Sequence, residues 1–258
     1  MVKAITAVLR SALPISLILA VAFGVVPRAG AQIPEEFTNL QVLPADISRD
    51  ALMQTMQNFS AALGVRCQHC HVSTGPSFRD TDFPNDEKPE KVTARSMMDM
   101  LGRLNRELLP ALEHRGDPPV TMTCKTCHRG TARPFLLSQE LLMAAHDGGG
   151  SAAVARYLEL RERYETSGAY DFGEEETAGV AETLASEGRY DDAIALLQLN
   201  AEMHAESSNA QIALGQTYEE IGETESAAAA YERALELAPN NRRAQMMLDN
   251  LRGTAPQY

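Results

Sequence analysis

Two short stretches hold every cysteine of the chain, and they constrain it more than any other feature. GVRCQHCHVS covers residues 64–73, and TMTCKTCHRG covers residues 121–130. Each stretch has two cysteines separated by two residues, and a histidine follows the second cysteine at once. In one helical turn, this spacing puts both thiols on the same side, with an imidazole directly beside them.

We interpret both stretches as attachment sites for c-type haem, since Cys-x-x-Cys-His is the attachment motif of that cofactor. Each pair of thiols reaches the two vinyl groups on one edge of a porphyrin, and the histidine binds the iron from the proximal side. The cysteines expected to bind haem are Cys67, Cys70, Cys124 and Cys127, and the expected iron ligands are His71 and His128. The sequence therefore predicts two covalently attached haems.

Two other uses of the cysteines are a zinc site and disulfide bonds. Two Cys-x-x-Cys pairs can form a four-cysteine zinc site, but the pairs of such sites are usually about 15–20 residues apart. Here 53 residues separate Cys70 from Cys124. Disulfide bonds form readily in exported proteins. Neither use explains why a histidine follows both pairs.

The first motif comes after a segment with the pattern of an amphipathic helix. Residues 48–65 begin at Ser48, a residue type that caps helices, and are expected to turn at Gly64. Met56 lies on the apolar stripe of this helix and is a candidate for the sixth iron ligand. Methionine on such a stripe is usually core filler, so spacing alone leaves both roles open. The stripe consists of Leu52, Met56, Phe59 and Leu63.

A second predicted helix, residues 91–108, precedes the second motif and ends before Pro110. Met97 is its candidate iron ligand, and Met98 and Met100 are near alternatives. His114 lies in the loop that leads back to Cys124 and is a further candidate ligand. The predicted apolar stripe consists of Met97, Leu101, Leu104 and Leu108.

The first 31 residues have the pattern of a secretory signal peptide. Positive residues precede the apolar run 11–26, and Ala29-Gly30-Ala31 forms an A-x-A site with cleavage expected after Ala31. We therefore expect a periplasmic protein. An uncleaved anchor is the alternative, although the apolar run is shorter than the roughly 20 residues that a membrane span needs.

The mature chain is expected to be strongly acidic. Removal of residues 1–31 takes away Lys3, Arg10 and Arg28 and no acidic residue, so the formal charge changes from −12 to −15. This charge disfavours nucleic acid as a partner. It favours a protein partner with a basic docking patch, or serves solubility alone.

The remainder of the chain divides at HDGGGS, residues 146–151. Glycine and serine are typical of flexible linkers. We expect residues 32–146 to form a two-haem domain and residues 152–258 to form a second domain, with residues 147–151 as the linker.

The second domain contains an internal repeat of 34 residues, the length of a tetratricopeptide unit. Residues 208–241 match the pattern of small and aromatic residues well, and residues 174–207 match it less closely. A helix over residues 152–165 is expected before the repeats, and a capping helix over residues 242–252 after them. Such stacks offer a groove for a peptide or protein.

The stretches TMQNFSAALGVRCQHCH, KVTARSMMDMLGRLN and VTMTCKTCHRGTARP together resemble the cytochrome c subunit of photosynthetic reaction centres. The resemblance covers about residues 38–136. It implies that Met56 is the distal ligand of the first iron. Aligning the second helix through Asn105 implies that Met97 is the distal ligand of the second iron.

The chain departs from that family in three respects. The photosynthetic subunit typically has four haems, whereas this chain has cysteines for two. The histidine that serves a further haem would align near Ala111, and His114 is not at that position. The repeat domain is not part of the photosynthetic subunit, so docking to a reaction centre is not implied.

Together these features predict an all-α protein that carries electrons and is not an enzyme. The helix–turn–Cys-x-x-Cys-His domain comes first, followed by the short stack of helical hairpins. Its expected partner is a redox protein, for example a membrane electron-transfer complex that also brings it to the membrane. Arg129 is a candidate partner for a haem propionate. Two alternatives are a two-haem peroxidase, which needs one open iron site, and a protein-binding module whose haem domain senses redox state.

Overall fold

The computed structural model describes residues 37–113 and 116–254, and these residues are mainly helical. The predicted all-α fold class is confirmed. Within the described ranges, the one sheet pairs β1 (Val72–Ser73) with β2 (Thr81–Asp82) in antiparallel register. No helix there is long and apolar enough to cross a membrane. The predicted signal peptide and His114 lie outside the described residues.

Three α-helices lie in the part of the described chain that contains the cysteines. They are α1 (Arg49–Leu63), α2 (Pro89–Arg103) and α3 (Cys124–His128). Short 3-10 turns cover Cys67–His69 and Phe78–Asp80. Helix α2 continues into a π-helical turn, Leu104–Leu108, and a 3-10 turn, Leu109–Ala111.

Helix α1 forms as the sequence predicts. The hydroxyl of Ser48 accepts a hydrogen bond from the amide of Ala51 at 3.3 Å and caps the helix. Gly64 ends it in the left-handed conformation, at φ 65°. The predicted stripe is the less exposed side: Leu52 is buried, and Met56, Phe59 and Leu63 are half-buried.

Helix α2 differs from the prediction in the face that it buries. Leu101 and Leu104, in the middle of the predicted stripe, are half-buried. Its two ends are exposed, Met97 by 45% and Leu108 by 56%, and Met98 is half-buried in place of Met97. The π-helical turn after Arg103 has more residues per turn than an α-helix, and it rotates Leu108 away from the face that Leu101 occupies.

The described chain after residue 136 is a series of antiparallel helices. The helices are α4 (Leu137–Tyr164), α5 (Glu174–Ser186), α6 (Tyr190–Met203), α7 (Ser208–Glu220), α8 (Thr224–Leu237) and α9 (Arg242–Leu251). Helices α5 and α6 form one hairpin, and α7 and α8 form the next, in agreement with the predicted repeats. Helix α9 corresponds to the predicted capping helix.

Residues 147–151, predicted as a flexible linker, lie inside α4 instead. The helix runs on both sides of Gly149, which makes a kink at φ 79° and ψ −176°. A Cβ atom at Gly150 would lie 2.8 Å from the Cα atom of Asp192. Glycine is therefore needed because α4 and α6 approach closely here, and not because the segment is flexible.

Helix α6 holds this kink from both sides. The carboxylate of Asp192 accepts a hydrogen bond from the amide of Gly150, at the start of the second half of α4. The guanidinium of Arg189 donates to the carbonyl of Ala145 at 2.6 Å, at the end of the first half. Arg189 and Asp192 also form an ion pair at 2.7 Å. These contacts satisfy backbone groups that a kink would leave without partners.

Both halves of α4 belong to the core of the repeat helices. Leu141 and Ala145, before the kink, are fully buried, as are Ala153 and Tyr157 after it. All four lie in one apolar cluster with α5 and α6. The helix predicted over residues 152–165 is therefore longer than expected, and residues 137–146 pack with the repeats rather than with the first domain.

Candidate haem-binding site

The first Cys-x-x-Cys-His motif forms a tight helical turn directly after α1. The amide of Cys70 donates to the carbonyl of Cys67 at 3.2 Å, and the amide of His71 donates to the same carbonyl at 3.0 Å. Both thiols are free. The turn therefore puts two thiols and an imidazole within one turn of backbone, as the attachment of haem requires.

The imidazole of His71 is fixed by Phe83. Its Nδ1 atom lies 3.2 Å from the carbonyl oxygen of Phe83, and the two rings meet edge to face at 5.0 Å. A carbonyl oxygen only accepts, so Nδ1 carries the proton and Nε2 keeps a free lone pair. Burial, and then the nearby Lys91 ammonium, lower the pKa of His71. Both effects favour the neutral ring that binds iron.

The second motif is α3 itself. Thr123 and Thr126 cap its start reciprocally: the hydroxyl of Thr123 accepts from the amide of Thr126 at 3.3 Å, and the hydroxyl of Thr126 accepts from the amide of Thr123 at 3.0 Å. The side chain of Asn105 makes two hydrogen bonds of 2.8 Å to the backbone of Met122. Asn105 thus ties the π-helical turn after α2 to the segment that leads into the second motif.

His128 has the same arrangement as His71 with a different partner. Its Nδ1 atom lies 3.0 Å from the carbonyl oxygen of Thr131, so Nε2 is again the free nitrogen. Thr131 is buried, and its hydroxyl oxygen lies 2.8 Å from the carbonyl oxygen of His128 and 2.9 Å from that of Arg133, so its one proton is shared between these two acceptors. The loop after the motif therefore holds the imidazole of His128, and with it the Nε2 lone pair, in one orientation.

The two motifs are joined through α1. Helices α1 and α3 pack together, and the amide of Gly130 donates to the carbonyl of Ala62 at 2.9 Å. A Cβ atom at Gly64 would lie 2.0 Å from the carbonyl oxygen of Gly130. Because glycine at position 64 permits this contact, the end of α1 touches the loop that follows the second motif.

The candidate distal ligands lie on α1 and α2. Met56 is half-buried on the apolar side of α1. An open cavity of about 300 Å³ adjoins the second motif and contains Met98 rather than the predicted Met97. The assignment of Met97 comes from the resemblance and stays a prediction. The cavity is lined by Phe59, Met98, Leu101, Gly102, Asn105, Arg106 and Cys124.

The remaining predicted residues lie at the surface. His69 is exposed. Arg129 is also exposed and ends α3 in the left-handed conformation, and its role toward a propionate stays a prediction.

Sequence reasoning missed the groups that orient the two imidazoles. Thr131 is three residues after His128, so a search for local hydrogen-bond partners finds it. Phe83 is 12 residues after His71, and the sequence between them carries no signal for the contact.

Haem fits these residues better than zinc does. Within residues 37–113 and 116–254, no three His, Cys, Asp or Glu side chains gather as a metal site would require. Several large apolar side chains between the two motifs in the sequence are exposed, and the apolar faces of a porphyrin would cover such surface. They include Phe78, Val92, Met97, Met100, Leu108 and Leu112.

Comparison with known families identifies the first half of the chain. Residues 16–146 match the sequence profile described as photosynthetic reaction centre cytochrome C subunit. The chain belongs to this family. Residues 184–251 match a tetratricopeptide repeat profile. The resemblance predicted from the motifs, and the repeats predicted from their spacing, are both confirmed.

Two relatives illustrate the family match. The chain is 34% identical over 91 residues to cytochrome c-554 of Chloroflexus aurantiacus, which covers 35% of this chain and 20% of the relative. It is 31% identical over 124 residues to the photosynthetic reaction center cytochrome c subunit of Rubrivivax gelatinosus, which covers 41% of this chain and 32% of the relative. The chain thus spans between a fifth and a third of the length of these curated relatives.

Proposed function

We propose that this reaction centre cytochrome family member is an exported electron carrier that holds two c-type haems. One observation carries the proposal: each pair of free thiols is followed by an imidazole whose Nδ1 is bound to a backbone carbonyl. In both motifs the free nitrogen is Nε2, the atom that a proximal ligand offers to iron. A zinc or disulfide role for the cysteines accounts for neither histidine.

A bound c-type haem supplies one-electron chemistry between the ferric and ferrous states. The chain holds each group through two thioether bonds, with Cys67 and Cys70 at the first site and Cys124 and Cys127 at the second. His71 and His128 are the proximal ligands. Met56 and Met97 are the proposed distal ligands, and a thioether sulfur in that position favours the ferrous state. If these four side chains bind the irons as proposed, they would leave no open position for a substrate.

The proposed partners and location follow from the remaining features. The A-x-A site before Gln32 supports export to the periplasm, where covalent haem attachment takes place in bacteria. The acidic mature chain supports a redox protein with a basic docking patch and argues against nucleic acid. The repeats support a second contact with a protein or peptide. A membrane electron-transfer complex is the proposed class of redox partner.

Haem quantification on the exported protein tests the proposal. We expect two covalent haems per chain in the wild type. The double variants Cys67→Ala/Cys70→Ala and Cys124→Ala/Cys127→Ala should each retain one haem. Purified protein with bound zinc and no covalent haem would refute the proposal.

Absorption spectroscopy of methionine variants tests the distal ligands. Met56→Ala and Met97→Ala should each remove half of the weak near-red band that reports methionine on ferric iron. Met98→Ala is the matched control, because Met98 is the neighbouring side chain in the cavity beside Cys124. Loss of the band in Met98→Ala, with an unchanged Met97→Ala spectrum, would assign the ligand to Met98.

A further inference from the structure

The carbonyl oxygen of Phe83 has two partners, and this distinguishes the first haem site from the second. It accepts the Nδ1 proton of His71 at 3.2 Å and a hydrogen bond from the Lys91 ammonium at 2.7 Å. The Lys91 side chain is only 12% exposed. The residue that orients the first proximal histidine is therefore also the anchor of a nearly buried positive charge.

Lys91 belongs to a cluster of charges that carries a net charge of +1. Its ammonium lies 2.8 Å from the carbonyl of Asn85 and 2.9 Å from the carboxylate of Asp86. Arg95 pairs with the same carboxylate at 2.8 Å, and its side chain is 14% exposed. The Arg95 guanidinium, with help from Lys91, holds the pKa of Asp86 well below its usual range. Two cations thus share one carboxylate.

A further cation lies on the same side of the first motif. The ammonium of Lys88 donates to the carbonyl of Gln68, between the two cysteines of the motif. Glu87 and Glu90 flank Lys88 in the sequence, and both are exposed, so solvent screens them. The positive charge of Lys91 is screened less, because its side chain is enclosed by the loop 83–86.

The second site lacks a corresponding arrangement in the part of the chain that the structure describes. The carbonyl of Thr131, which orients His128, accepts no hydrogen bond from a lysine or arginine there. The hydroxyl of Thr131 closes the loop with neutral hydrogen bonds. Lys125, inside the second motif, is exposed. The two proximal histidines therefore differ in the charge beside their orienting carbonyls.

We propose that Lys91 is a positioning residue that raises the reduction potential of the haem at the first motif. The inference rests on the proposed function, since it requires haem bound to Cys67, Cys70 and His71. A carbonyl that already accepts from an ammonium is a weaker acceptor for the Nδ1 proton, so the imidazole donates less electron density to iron. A buried positive charge nearby also favours the reduced state, which carries less positive charge.

Redox titration of the haem-loaded full chain tests this inference. Lys91→Met should shift the ferric–ferrous equilibrium of the first haem toward the ferric state by roughly tenfold. This is the size expected when one unit charge is removed from a partly buried environment. The second haem should titrate as in the wild type. Lys91→Arg keeps the positive charge, so its first haem should titrate close to that of the wild type. The variant Cys124→Ala/Cys127→Ala is expected to retain only the haem at the first motif, so its titration shows which of the two wild-type transitions belongs to that haem.

The control and the opposite-sign variant separate tuning from structural damage. Lys125→Met removes an exposed charge inside the second motif and should change neither equilibrium by more than about twofold, because solvent screens exposed charge. Asp86→Asn removes the negative charge beside Lys91 and should shift the first haem toward the ferrous state. Shifts in the same direction in Lys91→Met and Asp86→Asn would indicate loosening of the loop and would overturn the inference.

The remaining outcomes distinguish failure of the role proposed for Lys91 from failure of the proposed function. Two covalent haems with an unchanged first equilibrium in Lys91→Met would refute the role of Lys91 and leave the proposed function intact. If Lys91→Met fails to retain the first haem, the direction of the shift in Asp86→Asn decides. Absence of covalent haem from the wild type would refute the proposed function itself.

Discussion

Residues 37–136 and residues 137–254 differ in what holds them together. In the first region, Leu52 and Ala62 are the buried hydrophobic side chains among the described residues. In the second, every helix from α4 to α9 contributes buried apolar side chains, and two clusters form a continuous series along the repeats. The first region relies on helix caps, on Asn105 and Thr131, and on the charge cluster around Asp86.

The contrast explains why the same chain has two kinds of sequence signal. A repeat stack buries its apolar faces on neighbouring helices, so its pattern is spread over small and aromatic residues. The first region has too few buried side chains to supply a core by itself, and its most informative residues are those that attach a cofactor. The proposed covalent attachment to two cysteines would make that cofactor a permanent part of the region.

Removal of all four attachment cysteines is expected to have the largest effect and tests the comparison directly. In the Cys67→Ala/Cys70→Ala/Cys124→Ala/Cys127→Ala variant, residues 37–136 should lose protection against proteolysis. The helices α4 to α9 should remain as a resistant fragment, because their core is apolar. Mass spectrometry of the digest measures this. Equal protection of both regions would contradict the comparison.

The second prediction concerns the first half of α4. Leu141 is fully buried against α5 and α6, so Leu141→Ala should destabilise the repeat region by about 2–5 kcal/mol. Thermal unfolding followed by circular dichroism measures the change. Met143→Ala, at a side chain that is 47% exposed, is the matched control and should change stability by less than about 0.5 kcal/mol. A changed haem spectrum in Leu141→Ala would assign this half of α4 to the first region.

Substitutions of two glycines test, with a smaller effect on stability, whether residues 147–151 form a helix crossing or a flexible linker. Gly150→Ala should destabilise the repeat region by about 1–3 kcal/mol, since its Cβ atom would lie 2.8 Å from Asp192 and from the Cβ atom of Ala195. Gly179, in α5, is exposed and has nothing within 4 Å of an added Cβ atom. Gly179→Ala should therefore stabilise by about 0.5–1 kcal/mol. Stabilisation by both substitutions, in denaturant titrations, would restore the flexible-linker interpretation.

The smallest predicted effect is a dependence on alkaline pH that belongs to the second region. Burial, and then the carboxylate of Glu140, raise the pKa of Tyr170 to about 12. The unfolded tyrosine has a pKa near 10, so the folded state holds its proton more tightly. This contribution is present below about pH 10 and is lost as the pH rises toward 12, by on the order of 1–2 kcal/mol.

Stability measurements across that range, with Tyr170→Phe for comparison, check the pH effect. The phenylalanine has no proton to lose, so its curve should be flatter than that of the wild type. The spectrum of the bound haem serves as an internal reference, because Tyr170 packs with α4 and not with the motifs. Parallel curves for the two proteins would exclude Tyr170 as the source.

Local features of the fold were predictable from residues that are close in sequence. Ser48 and Gly64 define the ends of α1 because a cap and a left-handed turn need only neighbouring atoms. The repeats and the capping helix were predictable because their signals recur every 34 residues. HDGGGS was misread, since three glycines are equally suited to a linker and to a close helix crossing, and only the position of Asp192 distinguishes the two.

By itself, the sequence determined the helical class and the repeat architecture and predicted the haem-attachment motifs, because each depends on the order and spacing of neighbouring residues. Only the tertiary structure decided which carbonyls orient His71 and His128, that Lys91 shares the carbonyl of Phe83, and that α4 continues through its glycines. The physical reason is that hydrogen bonds and close packing depend on distances between atoms. The chain brings such atoms together from positions that no local pattern connects.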